Sequence, residues 1–464
     1  MMSPAHPAEA SERPRLFQPD YLLLGATAVL LAIGALMVYS ASFVVAHNEF
    51  NDALYFLTRH LTSIAVGAVF LLVAMRLDYH RLRGLSLIAM LGCVALLVLV
   101  LAPGIGSRSY GAVRWIKLGP FFQLQPSELA KVVIALYLAN WLARRGPRLR
   151  DFRNGSLPFI IIVVIVGGLV EVQPDLGTTF VIVGTAACVF FVAGANLLHI
   201  GAIGSAGILA GIALVGRMSG YRQDRIAAFL DPWSDLQGTG WHTAQTLIAL
   251  GSGGPFGMGL GHSFQKFYWV PNAHTDAIFA IIGEELGFVG AVAVLGLFAV
   301  IAWRGFLIAW RAPDSFGRLL ATGLTSTLIL QALVNIAVVT NSIPYTGVTL
   351  PLVSYGGTST VVSMLAVGLL LGISRHRGPY RAEVEEDAPA QPAPPNGAIH
   401  RGSAARASSP RTLAPVLSSR PHSPRGLSFA GRAAIPNVQA RPARRRTPAH
   451  RPVTARRGRW DVND

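Results

Sequence analysis

Long apolar runs separated by short polar breaks occupy the first 375 residues. The runs recur at about 17–25 residues, the length an α-helix needs to cross roughly 30 Å of hydrocarbon. They predict ten membrane helices, over about 21–44, 55–75, 84–103, 127–143, 158–172, 176–194, 197–216, 275–302, 317–340 and 352–373. The expected fold class is an all-α polytopic membrane protein, with a long loop, 217–274, between the seventh and eighth helices. The short run at 158–172 also admits a tilted or broken helix.

The polar breaks set an orientation, because short loops rich in Lys and Arg stay in the cytoplasm. Arg76, Arg81 and Arg83 share one break, and Arg144, Arg145, Arg148, Arg150 and Arg153 another. Arg304 and Arg311 lie in a third, and Arg375 and Arg377 follow the last helix. Ten crossings put all of these on one side, so both termini are expected in the cytoplasm. On the other side, 45–54 has no Lys or Arg and 341–351 has no charge. Two outer segments keep positive charge: 104–126 with Arg108, Arg114 and Lys117, and 217–274 with Arg217, Arg222, Arg225 and Lys266. Retained outer charge points to an anionic ligand there.

Composition rules out a soluble protein: 52% of the 464 residues are hydrophobic, 13% are charged, and the mean hydropathy is +0.48. The net charge of +16 is uneven, since residues 375–464 hold 17 Arg against 6 acidic residues. That Pro-, Ala-, Ser- and Arg-rich stretch has too few large apolar side chains for a core. The expected domains are a cytoplasmic segment, 1–20, a membrane domain, 21–373, and a disordered cytoplasmic tail, 374–464. Cys93 and Cys188 fall inside apolar runs, which argues against a disulfide framework or a zinc site. The first run, from Tyr21, is long and lacks a cleavage site, so no cleaved signal peptide is expected.

Four predicted helices begin on the outer side, and each opens on a polar cluster: "QPSELAK" (125–131), "VQPDLGTT" (172–179), "AHTDAIFA" (273–280) and "LPLVSYGGTS" (350–359). Helix N-termini present unpaired N–H groups and the positive end of the dipole, which favour phosphate. Four such ends beside outer arginines make a cradle for a phosphate-bearing substrate. Each cluster also has a plainer reading. Ser127 and Asp175 follow prolines at helix starts and would serve as caps. Glu128 and Lys131, three apart, would serve as an ion pair, although a cation one turn inside a span is costly. Ser354 and Ser359 sit in a Gly-rich stretch tolerated at membrane depth only where it lines a cavity or packs in protein.

In the eighth predicted helix Ala280, Gly283, Gly287 and Gly290 form a small-residue stripe, read as a packing face. Asp276 lies on the same side, so it points into the bundle. A desolvated carboxylate there has a raised pKa and is suited to take a proton from a sugar hydroxyl. A cap reading is open for Asp276 as well, with Thr275 able to cap in its place.

Eight ordered blocks across residues 20–375 carry a resemblance: "YSAS" (39–42), "GAVRWI" (111–116), "QPSELAK", "QPDLGT" (173–178), "RIAAFLDPW" (225–233), "GWHTAQTLIALGSGG" (240–254), "HTDAIFAIIGEELG" (274–287) and "LPLVSYGGTS". Together they resemble the SEDS family (shape, elongation, division and sporulation), whose members include FtsW and RodA. "YSAS", "MLAVGLLLGISR" (364–375) and the long tail resemble the FtsW branch more than the RodA branch. The resemblance implies a ten-span peptidoglycan glycosyltransferase that polymerises lipid II into β-1,4 glycan strands at the outer face of the bacterial inner membrane during division. Undecaprenyl pyrophosphate would leave. Carried over residue by residue, the resemblance makes Asp276 the catalytic base and Arg114, Trp115, Glu128 and Lys131 substrate-binding candidates; Asp175, His274, Ser354 and Ser359, in the polar clusters at the helix openings, complete the substrate-binding set. Arg114 and Lys131 would meet the donor pyrophosphate. No protein metal site is assigned. A divalent cation, Mg or Mn, is left open as a cofactor, although Asn272 stands where the family usually has an acid.

The family implies a class B penicillin-binding transpeptidase as partner, with other division proteins at the septum. Flipping of a lipid-linked precursor is a competing function, as is a non-catalytic scaffold. Transporters spread polar residues through the membrane depth, whereas here they gather at the outer ends. No G-x-x-x-x-G-K-[ST] nucleotide loop is present. The Arg-rich tail is expected to contact anionic lipids, and nucleic acid is not an expected partner.

Overall fold

The computed structural model of the protein describes residues 17–376, apart from 110–111, 118, 120–122, 147–148, 150, 197, 200, 202–204 and 206–220. Most of the predicted helix 197–216 therefore lies outside the described residues, with the segment 1–16 and the tail from 377 onward. Arg148, Arg150, Arg217 and the side chains of Arg108 and Arg222 also lie outside them.

The first six long helices are α1 (Tyr21–Phe50), α2 (Tyr55–Arg76), α3 (Tyr79–Leu99), α4 (Pro126–Ala143), α5 (Leu157–Val172) and α6 (Leu176–Val192). Two shorter helices of the long loop, α7 (Tyr221–Leu230) and α8 (Trp241–Ser252), precede α9 (Ile278–Trp310), α10 (Ser315–Val339) and α11 (Gly357–Ser374). A π-helical turn, Phe152–Ser156, extends α5 at its start. Among the described residues seven helices are long and apolar enough to cross a membrane: α1, α2, α3, α5 with its π-turn, α9, α10 and α11. α6 is apolar but has only 17 residues, and α4 carries Glu128 and Lys131 inside its 18. The chain is a multi-pass membrane protein.

Side-chain capping starts several of these helices. Asp20 accepts from Leu23 N, Asp175 from Thr178 N and Asp314 from Gly317 N, satisfying N–H groups that a helix start leaves unpaired. Burial then sorts the helices. The most apolar stretches of α10 and α11 are 78% and 89% buried, against 22% for α2 and α3. α10 and α11 are thus the centre, and the outer helices keep lipid-facing sides. Close approach is bought by small residues: a Cβ at Gly368 of α11 would lie 2.5 Å from the Leu71 carbonyl of α2.

Two features depart from the all-α reading. Between α3 and α4 lies a three-stranded antiparallel sheet in the order β1 (Gly106–Ser109), β2 (Ala112–Lys117), β3 (Gln123–Leu124). Ser107 pairs with Trp115 and Ile116 with Leu124. Val113, Trp115 and Ile116 favour a strand, but six residues are too few to register against runs of membrane length. The second departure is in α9, where Gly287 is non-helical with φ 69° and ψ −168°. The break frees backbone groups that the 253–259 segment takes up: Met258 N donates to Glu284 O (2.9 Å), and Phe288 N to Gly254 O (2.9 Å). Gly283 and Gly287 do face close neighbours, as a packing stripe should. A Cβ at Gly287 would lie 2.2 Å from Gly257 N. Yet Gly287 is there to interrupt the helix as well as to pack.

Candidate active site

The polar clusters predicted from sequence meet at one end of the bundle in three linked groups. The first joins β2, α4 and α6. Arg114 Nε donates to the Gln173 carbonyl (2.8 Å), and its guanidinium also reaches the Pro174 carbonyl. Asp175 of the same turn accepts from Ser127 Oγ and Gln125 Nε2, both at 3.3 Å. Asp175 is therefore a cap and a cross-helix tie at once. Ser127 is not a cap, since Gln125 holds the N-cap position and Pro126 follows it. Trp115 is half-buried on β2.

The second group surrounds Lys131. Its ammonium lies 2.8 Å from Glu128 and also donates to Gln331 of α10. Gln331 Nε2 in turn donates to the Thr349 carbonyl (3.1 Å) and to Ser359 Oγ (3.1 Å), while Thr349 Oγ1 donates to Ser359 Oγ (3.0 Å). Removing two charges from water is tolerable only with such pairing. Ser354 stands apart from this group: its Oγ accepts from Leu350 N (2.8 Å) and closes the turn before α11.

Asp276 is the third. Its carboxylate is buried and accepts from Thr275 Oγ1 (2.9 Å). Ala277 occupies the N-cap of α9, with no side-chain cap, so the cap reading of Asp276 does not hold. Thr275 does not cap either. Its hydroxyl also lies 3.0 Å from the Asn272 carbonyl. What fixes the turn is Asn335 of α10, whose Nδ2 donates to the carbonyls of Asp276 and Val348, both at 2.7 Å. Gly347, at φ 71°, passes close by, and a Cβ there would lie 3.6 Å from Asp276 Oδ2.

Burial pushes the Asp276 carboxyl up to about 6, against the smaller opposing effects of the Thr275 hydrogen bond and the Arg225 charge. Arg225 of α7 donates to the Tyr345 carbonyl (2.9 Å) and sits 5.3 Å from that ring. His274 packs its ring 4.4 Å from Phe56 and 5.5 Å from Tyr355. Burial lowers His274 to about 4, and burial with Arg225 does the same for His242. A base works best when its pKa lies near the working pH, so Asp276 is better placed than either histidine.

Sequence reasoning missed Gln331 and Asn335, and had Arg225 only as one of several outer charges. The two amides are four residues apart, hence on one face of α10, and this face links the Lys131 group to Asp276. The signal was available: a Gln and an Asn one turn apart inside an apolar run are unusual at membrane depth. Among the described residues no cluster of three or more His, Cys, Asp or Glu side chains is arranged to hold a metal ion. Asp276 with Asn272 in the same turn does not by itself make a divalent-cation site.

Comparison with known proteins bears on this geometry. The FtsW/RodA/SpoVE model, described as "Cell cycle protein", matches residues 21–378. Stage V sporulation protein E of Bacillus subtilis is 44% identical over 358 residues, covering 77% of this chain and 97% of the relative. The probable peptidoglycan glycosyltransferase FtsW of Trichlorobacter lovleyi is 43% identical over 360 residues, covering 78% and 94%. Among solved structures, a chain from "Structural coordination of polymerization and crosslinking by a peptidoglycan synthase complex" superposes with a TM-score of 0.65 at 31% identity. It covers 77% of this chain and 98% of that one. The Thermus thermophilus rod shape determining protein RodA gives 0.58 at 30% identity, covering 77% and 97%.

Proposed function

The chain belongs to the FtsW/RodA/SpoVE family of cell cycle proteins, and from that premise we propose that it is a peptidoglycan glycosyltransferase of the FtsW type. Its substrate is lipid II, polymerised into β-1,4 strands at the outer face of the bacterial cytoplasmic membrane during division. Asp276 takes the proton from the acceptor 4-hydroxyl as that oxygen bonds to the donor anomeric carbon. The bond from that carbon to the pyrophosphate oxygen breaks, and undecaprenyl pyrophosphate leaves. Arg114 and Lys131 are assigned to the departing pyrophosphate, where fixed cations stabilise developing negative charge. Trp115, Glu128, Asp175 and Ser359 line the same end, His274 shapes the acceptor side by packing, and Ser354 holds the turn before α11.

One observation supports this reading above the rest: a buried carboxylate, free of any capping role and raised to a pKa of about 6, sits on a turn whose backbone Asn335 holds through the Asp276 carbonyl. Ten spans with cytoplasmic termini, the septal location and a class B penicillin-binding transpeptidase as partner belong to the same proposal. A similar chain comes from a complex that couples polymerization to crosslinking, which favours that partner. The test is glycan polymer on a gel from purified protein, lipid II and the cognate transpeptidase. Wild type is expected to make polymer and Asp276→Asn none, at equal folding and lipid II retention. Equal polymer from both sinks the assignment of Asp276, and no polymer from either favours transport.

A further inference from the structure

At the end of the bundle opposite Asp276, α3, α4 and the turn into α5 enclose a groove of about 780 Å³. Arg83, Tyr137, Asn140, Trp141, Arg144 and Arg145 form its walls, and the described residues that line it include no carboxylate. The arginines come from two segments about sixty residues apart in the chain, so the charge is gathered by the fold rather than by one basic run.

The walls are braced. Asn140 Nδ2 donates to the Arg83 carbonyl (3.1 Å) and to Ser86 Oγ (2.6 Å), which ties α4 to α3. Arg144 Nε donates to Asn140 Oδ1 (3.1 Å). The Arg145 guanidinium lies 4.3 Å over the Trp141 ring and donates to the Asn154 carbonyl. Asp151, the acid nearest to Arg144 and Arg145 in the chain, is turned to its own loop, accepting from Arg153 N (3.3 Å) and the Asn154 amide. Arg144 and Arg145, braced in this way and with donors to spare, are suited to phosphate oxygens, which guanidiniums bind in a fork.

The chemistry of the floor distinguishes the source of that phosphate. Leu87 lines the groove, and the exposed face of α3 continues from it through Ile88 (67% exposed) and Leu91 (62% exposed). A soluble phosphate compound has no use for an apolar track running into the membrane, whereas an acyl chain does. Basic pockets between membrane helices are suited to anionic headgroups. We propose that this groove binds the headgroup of an anionic phospholipid, with Arg144 and Arg145 on the phosphate and the acyl chains along Leu87, Ile88 and Leu91. The proposal is independent of the glycosyltransferase reading.

The full chain would be purified, exchanged into mixed phosphatidylglycerol and phosphatidylcholine, and its retained lipid counted by native mass spectrometry. Wild type should retain phosphatidylglycerol over phosphatidylcholine. Arg144→Gln/Arg145→Gln should lower that retention at least tenfold, while Arg81→Gln/Arg153→Gln, which removes the same charge outside the groove, should stay within twofold. If the groove pair unfolds, Arg144→Gln alone carries the reading, with an expected loss of about threefold. Equal loss from both pairs, or no preference in wild type, overturns the proposal. A parallel titration with inorganic phosphate separates the sources: bound phosphate without retained phosphatidylglycerol makes this a free-phosphate site and refutes the lipid.

Discussion

Replacing Asn335 with Leu keeps the size of a fully buried side chain and removes the two hydrogen bonds that hold Asp276 and Val348. A buried carbonyl left without its donor costs about 1–3 kcal/mol, so two cost roughly 2–6 kcal/mol if the backbone stays in place. The turn 271–277 can lower that penalty by moving toward water, and it would carry the Asp276 carboxylate with it. A displacement of about 1 Å at a reacting group lowers rate on the order of a hundredfold. The expected result is a polymerisation kcat down about a hundredfold with KM for lipid II little changed, as for loss of an interaction made only in the transition state. Asn335→Ala should fall at least as far and lose more thermal stability. Gel-resolved polymerisation kinetics, lipid II retention and a melting curve in the same detergent supply the three numbers. An Asn335→Leu variant that melts like wild type and polymerises within twofold of it would show that these bonds do not place the base.

Protonation of Asp276 gives a second prediction: polymerisation should rise with pH through about 6 and level off above it. Stability should run the other way. The folded carboxyl holds its proton up to about 6 and the unfolded one releases it near 3.8, so stability falls as pH rises across that window, by about 3 kcal/mol in total. Asp276→Asn should lose both dependences and melt higher than wild type at pH 7. At the buried pair, Glu128→Gln or Lys131→Met strands a charge and should cost about 3–5 kcal/mol. The double variant should recover most of the melting temperature but not the polymer, if Lys131 meets substrate. At the break in α9, Gly287→Ala places a Cβ 2.2 Å from Gly257 N on a backbone open only to glycine. It should cost about 3 kcal/mol or more, while Gly251→Ala, with nothing within 4 Å, should be neutral or stabilising in a thermal melt.

What the sequence alone determined follows from local pattern. Runs of membrane length, Asp175 before a helix start, and polar clusters at helix openings are all short-range signals. Each has a local physical cause in hydrocarbon thickness, capping or dipole. The pairing of Glu128 with Lys131 was legible for the same reason, because three residues on a helix put them on one face. The sheet at 106–124 and the break at Gly287 were not legible. The strands are too short to stand out beside runs of membrane length, the break depends on pairing with the 253–259 segment about thirty residues away, and a glycine in a stripe looks the same whether it packs or breaks a helix. Only the tertiary structure decided that Asp276 caps nothing, that Ser354 closes a turn, and that Gln331 and Asn335 join the Lys131 and Asp276 groups. Those outcomes hang on which side chain lies across from which in a bundle where buried polar groups must find partners. No local pattern encodes that choice, because the partners are brought together by the packing of α4, α9, α10 and α11.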